Sequence, residues 1–316
     1  MKKLLFYLGL ILLFATCQNN EEIWQNKQTG GNSKVTIKLS PIEAVYGDIE
    51  SRAVDDYTGE TIQDLLYRLQ YIITDESGNF IARDTLTTEE LADFQSLELS
   101  LGMGNYKFYM LGEGLNTSFS HTAEELREVN TTNDIWYHNI RFQPIRREVF
   151  YAQREFTVDG SGTNIDFTVE LKRQVGMLDI VVESTDEHFK NLGLTIMIPD
   201  AYAANYMTVD GQFGFDINDS NGTGWYWTKN IGYGNVSILP EDESIVGEDG
   251  ETIEKYIYRA RFFMFPTLNN YEGENTPHII FSYLLGENGD MYNKDISLEG
   301  LTIEPNRVTN ITLTVE

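Results

Sequence analysis

From Lys34 onward, apolar and polar residues alternate with a period of two. Val35, Ile37 and Leu39 are separated by Thr36 and Lys38, so an extended chain sets the three aliphatic side chains on one face and the polar ones on the other. The same alternation runs through Tyr67, Leu69, Tyr71 and Ile73, through Leu97, Leu99 and Leu101, through Tyr106, Phe108 and Met110, and through Ile165, Phe167, Val169 and Leu171. It returns in Leu192, Leu194, Ile196 and Ile198, in Ile279, Phe281, Tyr283 and Leu285, and in Ile311, Leu313 and Val315. The pattern predicts an all-β chain. Helix signals are short: Thr87-Thr88-Glu89-Glu90 and Thr122-Ala123-Glu124-Glu125 each fit a capping box and predict a turn or two of helix between strands. Glu76-Ser77-Gly78-Asn79 and Glu287-Asn288-Gly289-Asp290 supply turn residues for antiparallel hairpins.

The parity of the alternation changes near the middle of the chain. From Ile165 to Leu171 the apolar residues hold odd positions, whereas Leu178, Ile180 and Val182 hold even ones, with Gly176 between. One face of one strand cannot stay buried across that change. A strand ending near Lys172 therefore closes a first sandwich and a strand beginning near Val175 opens a second. The predicted domains are 34–172 and 173–316, joined without a Pro/Ser linker. A bulge inside one continuous sheet is the alternative.

Residues 1–16 differ in kind. Met1-Lys2-Lys3 precedes an apolar run from Leu4, and Cys17, the sole cysteine, closes it. The run is too short for an ordinary membrane-spanning helix and reads as a secretory signal peptide. A cysteine there, with no second cysteine to pair with, predicts cleavage before Cys17 and its acylation, so that lipid holds the mature protein. A plain secreted protein is the alternative. Residues 17–33 are polar, with only Ile23 and Trp24 as large apolar groups, and read as a flexible tether.

Asp and Glu number 49 against 23 Lys and Arg, a formal charge of -26. Loss of Lys2 and Lys3 with the signal makes the mature chain more negative still. Such a charge argues against nucleic acid or an anionic headgroup surface as partner. A hydrophobic content of 41%, with 12% aromatics, is too high for a disordered chain.

Several segments resemble those of Bacteroidales fimbrial subunits. Leu69-Gln70-Tyr71-Ile72-Ile73-Thr74-Asp75-Glu76-Ser77-Gly78-Asn79-Phe80 is similar to a strand, acidic-Gly turn and strand of that family. Leu99-Ser100-Leu101-Gly102-Met103-Gly104-Asn105-Tyr106-Lys107-Phe108 resembles its strand, Gly-x-Tyr turn and rising strand. Glu148-Val149-Phe150-Tyr151-Ala152, the Leu-x-Arg junction in Val169 to Gly176, and Ile303-Glu304-Pro305-Asn306-Arg307 complete the set. In their order, and with the lipoprotein start, they resemble the FimB-like anchor and assembly branch of the fimbrillin superfamily. The resemblance implies two tandem transthyretin-like Greek-key β-sandwich domains in a surface pilus subunit. Its implied partners are other fimbrial subunits, joined by donor-strand exchange, the outer membrane through the lipid on Cys17, and a host or bacterial surface ligand in adhesion. Glu21 and Glu22 resemble the acidic tether signal of surface-exposed Bacteroidetes lipoproteins. Shaft subunits of this superfamily lose their first strand when a protease cuts after an arginine, and Ser51-Arg52-Ala53-Val54 offers such a place. A cut after Arg52 would release residues 17–52 and the lipid with them. A solvated loop arginine is the alternative, and the one an anchor requires.

Catalytic motifs are missing from the sequence. There is no Gly-x-Ser-x-Gly, no phosphate loop and no His-Glu-x-x-His, and His121, His138, His188 and His278 lack metal-ligand spacing. Asp216 to Gly222 is an Asn/Gly turn rather than a calcium loop, because Gly222 in the turn position would make Ile217 the first ligand. Trp225 and Trp227, around Tyr226, are either a flat aromatic platform for glycan contact or a strand with its tryptophans in the core. Asp84-Thr85-Leu86 resembles a Bacteroidetes O-glycosylation site at Thr85. No enzyme activity, cofactor or metal is expected. The function expected is a fimbrial anchor or assembly subunit, with a surface glycan-binding lipoprotein or a protease-processed shaft or tip pilin as alternatives.

Overall fold

Val35 and Ile37 are fully buried in β1 (Ser33–Leu39), the first strand of the computed structural model. The structure describes residues 32–40, 66–114, 124–126, 128–139, 148–185, 193–199, 201–216, 245–246, 252–253, 256–274, 276–285 and 290–315. β1 lies between β4 (Leu97–Leu101), its antiparallel neighbour, and β9 (Ile165–Val169), its parallel one. Facing this sheet is a five-stranded one ordered β10 (Lys172–Arg173), β8 (Val149–Val158), β5 (Gly104–Gly114), β2 (Leu66–Asp75) and β3 (Phe80–Thr87). The two sheets share one core. Val35, Ile37, Leu101 and Phe167 from the first meet Leu69, Tyr71, Ile73, Phe108 and Phe150 from the second. Phe108 lies edge-on to Phe167 across the sandwich, with ring centroids 6.4 Å apart.

Beyond residue 173, β11 (Gly176–Ser184) is flanked by antiparallel β17 (Tyr256–Met264) and parallel β20 (Val308–Val315). A further sheet sets β18 (His278–Leu285) between β12 (Gly193–Met197) and β19 (Asp290–Ser297). The short strands β15 (Ile245–Val246) and β16 (Thr252–Ile253) pair with each other.

The outer face of the five-stranded sheet is also covered. Ile72, Tyr109, Leu111 and Val149 pack into a second core with Trp136 and Tyr137, and with Met177, Met207, Val209, Phe263 and Phe265 from beyond residue 173. β2 and β5 therefore bury both faces, which is why Tyr71 to Thr74 and Phe108 to Gly114 are continuously buried. Four strands cross the same boundary as one sheet, in the order β14 (Phe213–Gly214), β13 (Tyr206–Thr208), β7 (Ile135–Asn139) and β6 (Glu124–Leu126).

Local chemistry explains several elements. The helix α1 (Thr88–Ala92) begins at the expected capping box, where the backbone N–H and the hydroxyl of Thr87 donate to Glu90 Oε2 at 2.7 and 2.9 Å. In the β2–β3 turn, Asp75 Oδ1 accepts the N–H groups of Ser77 and Asn79, both at 2.9 Å, and Gly78 supplies φ +82°. The corresponding turn at 287–289 lies outside the described residues.

Three expectations are corrected. Glu124 to Leu126 form strand rather than helix, because the segment finds a ladder partner in β7, with Leu126 opposite Tyr137; Thr122 and Ala123 lie outside the described residues. Tyr67 is 43% exposed while Leu66 is fully buried. The pairing shifts between Leu66 and Arg68 opposite Gly114 and Glu113, and this bulge turns Tyr67 outward. The strand expected to run to Lys172 stops at Val169, and Lys172–Arg173 pair instead with Tyr151 and Phe150 of the other sheet. β9 and β11, on either side of the parity change, belong to different sheets.

Candidate assembly site at the first strand

The alternation that buries Val35 and Ile37 gives β1 a dry face, and its two neighbours satisfy its backbone on both edges. Against β4 the register runs from Ser33 opposite Leu101 to Ile37 opposite Leu97. Against β9 it runs from Val35 opposite Ile165 to Leu39 opposite Val169. The Ser40 N–H extends the second ladder by donating to Val169 O at 2.9 Å. On the wet face, Lys34 Nζ lies 2.7 Å from Glu98 Oε1 with both side chains about half exposed, so the pair adds register preference more than stability.

The seat of β1 is made by two strands that it alone joins. β4 and β9 do not pair with each other. Without β1, each would present an unpaired edge to the space between them, over the core that Leu69, Tyr71, Ile73 and Phe108 contribute from the facing sheet. Two free edges above an apolar floor are what β-augmentation fills. In this structure the occupant is the chain's own residues 33–39.

The neighbouring β4–β5 turn is fixed by its Gly-x-Tyr element. The Tyr106 hydroxyl donates to Gly102 O at 2.9 Å, and burial, with the Asp75 charge adding, raises its pKa above the ordinary tyrosine value. Asp75 is shifted the other way: partial burial pushes its carboxyl up, but the side-chain and backbone bonds from Asn79, and those from Ser77 and Gly78, outweigh it and lower the pKa.

The other anticipated residues are dispersed. Cys17, Arg52, Trp225 and Trp227 lie outside the described residues, as do His121, His188 and residues 217–222. Thr85 sits half-buried on β3, where its hydroxyl accepts a hydrogen bond from Gln70 Nε2 at 3.1 Å and its N–H donates to Asp84 Oδ1 at 2.7 Å. His138 is buried in β7 against the Tyr206 ring, and His278 Nδ1 lies 2.7 Å from Asp295 Oδ1. Among the described residues no group of three or more His, Cys, Asp or Glu could hold a metal ion, and no helix is long and apolar enough to cross a membrane. The alternation in 34–39 showed which side of β1 is buried. It carried no sign that β1 is an inner strand, since its partners come from distant segments.

Among curated protein sequences, none matches this chain. In three dimensions the fimbrial anchor protein Mfa2 from Porphyromonas gingivalis is similar over 84% of this chain and 83% of its own, with 13% identity and a TM-score of 0.45. A fimbrial assembly protein from Parabacteroides distasonis is similar over 90% of each chain, with 10% identity and a TM-score of 0.41. At the level of sequence families, residues 28–315 match the fimbrillin-A associated anchor proteins Mfa1 and Mfa2, and the chain belongs to that family.

Proposed function

We propose that this protein is a lipid-anchored fimbrial subunit that anchors or assembles fimbriae at the outer membrane and joins other subunits by β-strand exchange. The family is one of anchor proteins, not of enzymes. Cys17, acylated once signal peptide 1–16 is removed, holds the chain at the membrane surface through tether 17–33. Residues 34–172 and 173–316 form the two sandwich domains.

The observation that carries this reading is the seating of β1 between β4 and β9. The tether enters β1 directly, so lipid and strand lie on the same side of Arg52. A cut after Arg52 would open the slot for a neighbour's strand and at the same moment detach the body from its lipid. A subunit that must stay at the membrane keeps both.

Mass spectrometry of the surface protein tests this. A peptide spanning Ser51-Arg52-Ala53 should be found intact, and Cys17→Ala should move the protein from the detergent to the aqueous phase on Triton partitioning. Deletion of the gene should shed pili into the medium or alter their length. A mature N-terminus at Ala53 in assembled fibres would place the chain among the polymerising subunits instead.

A further inference from the structure

Arg173 is 4% exposed at the point where the chain leaves the first sandwich. Its Nε lies 2.7 Å from Glu148 Oε1, and Glu148 is also 4% exposed. Its Nη1 donates to Asn306 Oδ1 at 2.8 Å, and the guanidinium lies over the Phe150 ring, 5.4 Å from the centroid. Residues 148–150 belong to the first half, whereas Asn306 stands just before the last strand. A guanidinium is removed from water only where its charge is met: Glu148 pairs with that charge, and Asn306 accepts a hydrogen bond from it.

The segment it reaches is a tight turn. Asn306 has φ +56°, a left-handed conformation that glycine adopts more easily. Glycine would satisfy the backbone there but offer Arg173 no acceptor. The Asn306 N–H donates to Val175 O at 2.9 Å, and Arg307 O accepts the Met177 N–H at 2.8 Å. Gly176 approaches so closely that a Cβ would lie 2.4 Å from Glu304 O. The next residue, Val308, opposite Met177, opens the β20 ladder that continues in step to Val315 opposite Ser184.

We propose that Arg173 is a positioning residue: by bridging Glu148 and Asn306 it fixes the turn from which β20 departs, and so ties the register of the last strand to the first sandwich. In a subunit held by lipid through Cys17, the tie makes β20 part of the anchored body. That consequence rests on the proposed function; the positioning role does not.

Hydrogen exchange read by mass spectrometry on the mature protein tests the role. Asn306→Gly keeps the left-handed turn but removes the acceptor. It should speed exchange in 304–315 and in β11 by about tenfold or more, the scale of a lost bond to a charged donor, and leave β1, β4 and β5 unchanged. Asn306→Asp retains an acceptor for Arg173 and should stay near the parent. The pair Arg173→Met with Glu148→Gln, which avoids stranding a buried charge, should reproduce the Asn306→Gly pattern. Unchanged exchange at β20 in Asn306→Gly, or equal acceleration at β1 and β20, would overturn the proposal.

Discussion

The Tyr151 hydroxyl, on β8, donates to the Val209 carbonyl, one residue past β13, at 3.0 Å. A strand of the first half thereby grips a hairpin of the second. The Val209 and Asp210 N–H groups donate to Asp134 O and Thr132 O, each at 3.1 Å, and the β7–β13 pairing continues the contact. Gly211 completes the notch with φ +80°, and a Cβ there would lie 2.8 Å from Tyr151 Cε1.

Two substitutions separate the bond from the fit. Tyr151→Phe removes one hydrogen bond and should lower stability by about 0.5–1.5 kcal/mol. Gly211→Ala adds a strained backbone and a ring clash, so it should cost more. Thermal melts of the two variants check the order, and a Gly211→Ala melt equal to that of the parent would deny the close fit.

Alkaline pH should weaken the same contact. Burial, then the nearby Tyr109 and Asp210, push the Tyr151 pKa far above the ordinary tyrosine value. The folded protein keeps a proton that the unfolded chain gives up. The associated stability is complete below about pH 10 and declines as pH rises further. Urea midpoints measured from about pH 8 to 11 should fall more steeply for the parent than for Tyr151→Phe.

How much of this was legible in the sequence depended on what each signal encodes. Alternation reports which side of a strand is dry, and it placed Val35, Ile37, Leu69 and Phe108 in a core. It does not report neighbours, so the pairing of β7 with β13 left no trace in the residues. Glu124 and Glu125 carried a helix-start pattern, but a local pattern gives way when a ladder partner is available. At Tyr67 the period of two held in the sequence and failed in space, because a bulge opposite Gly114 and Glu113 moved one residue out of step. The candidate site was legible only as the strand 34–39; its role as the wedge between β4 and β9 needed the topology.

The turn that leads into β7 should respond to acid. Asp134 accepts the N–H groups of Asn130 and Thr131 at 2.7 and 2.9 Å and the Thr131 hydroxyl at 2.8 Å. The bond from the Asn130 N–H, then those from Thr131, lower its pKa below the ordinary aspartate value. A carboxylate shifted this way contributes stability above its unfolded pKa and loses it as pH falls through the folded one. Asp134→Asn should therefore be less stable than the parent at neutral pH and match it near pH 2, at about full protonation. A deficit that persists in acid would mean that the turn, not the charge, is responsible.

The proposed domains should prove unequal when separated. Among the described residues, the buried members of the first core lie between Val35 and Leu171, so fragment 34–172 should give a β-type circular dichroism spectrum alone even though it loses the cover over Ile72 and Tyr109. Fragment 173–316 would expose Met207, Val209, Phe263 and Phe265, which the whole protein covers with Tyr109, Trp136 and Tyr137. It should be marginal by itself, and the two fragments expressed together should co-purify. Failure of 34–172 to fold alone would remove the two-domain proposal.

Removal of the first strand should create a measurable receptor. A protein beginning at Ala53 lacks Val35 and Ile37, each fully buried in the intact chain, and loses about 1.5–3 kcal/mol of burial for each along with both β1 ladders. It should melt well below the parent or survive only as a weakly stable species. A synthetic peptide of residues 32–40 should restore the melt in a concentration-dependent way, because it returns both the apolar face and the ladder bonds. The same peptide with Ile37→Asp should not, since it carries a charge into the apolar core that Ile37 shares with Leu101, Phe108 and Phe167. If both peptides rescue equally, or neither does, the space between β4 and β9 is not a strand-accepting slot and β-strand exchange at this site is excluded.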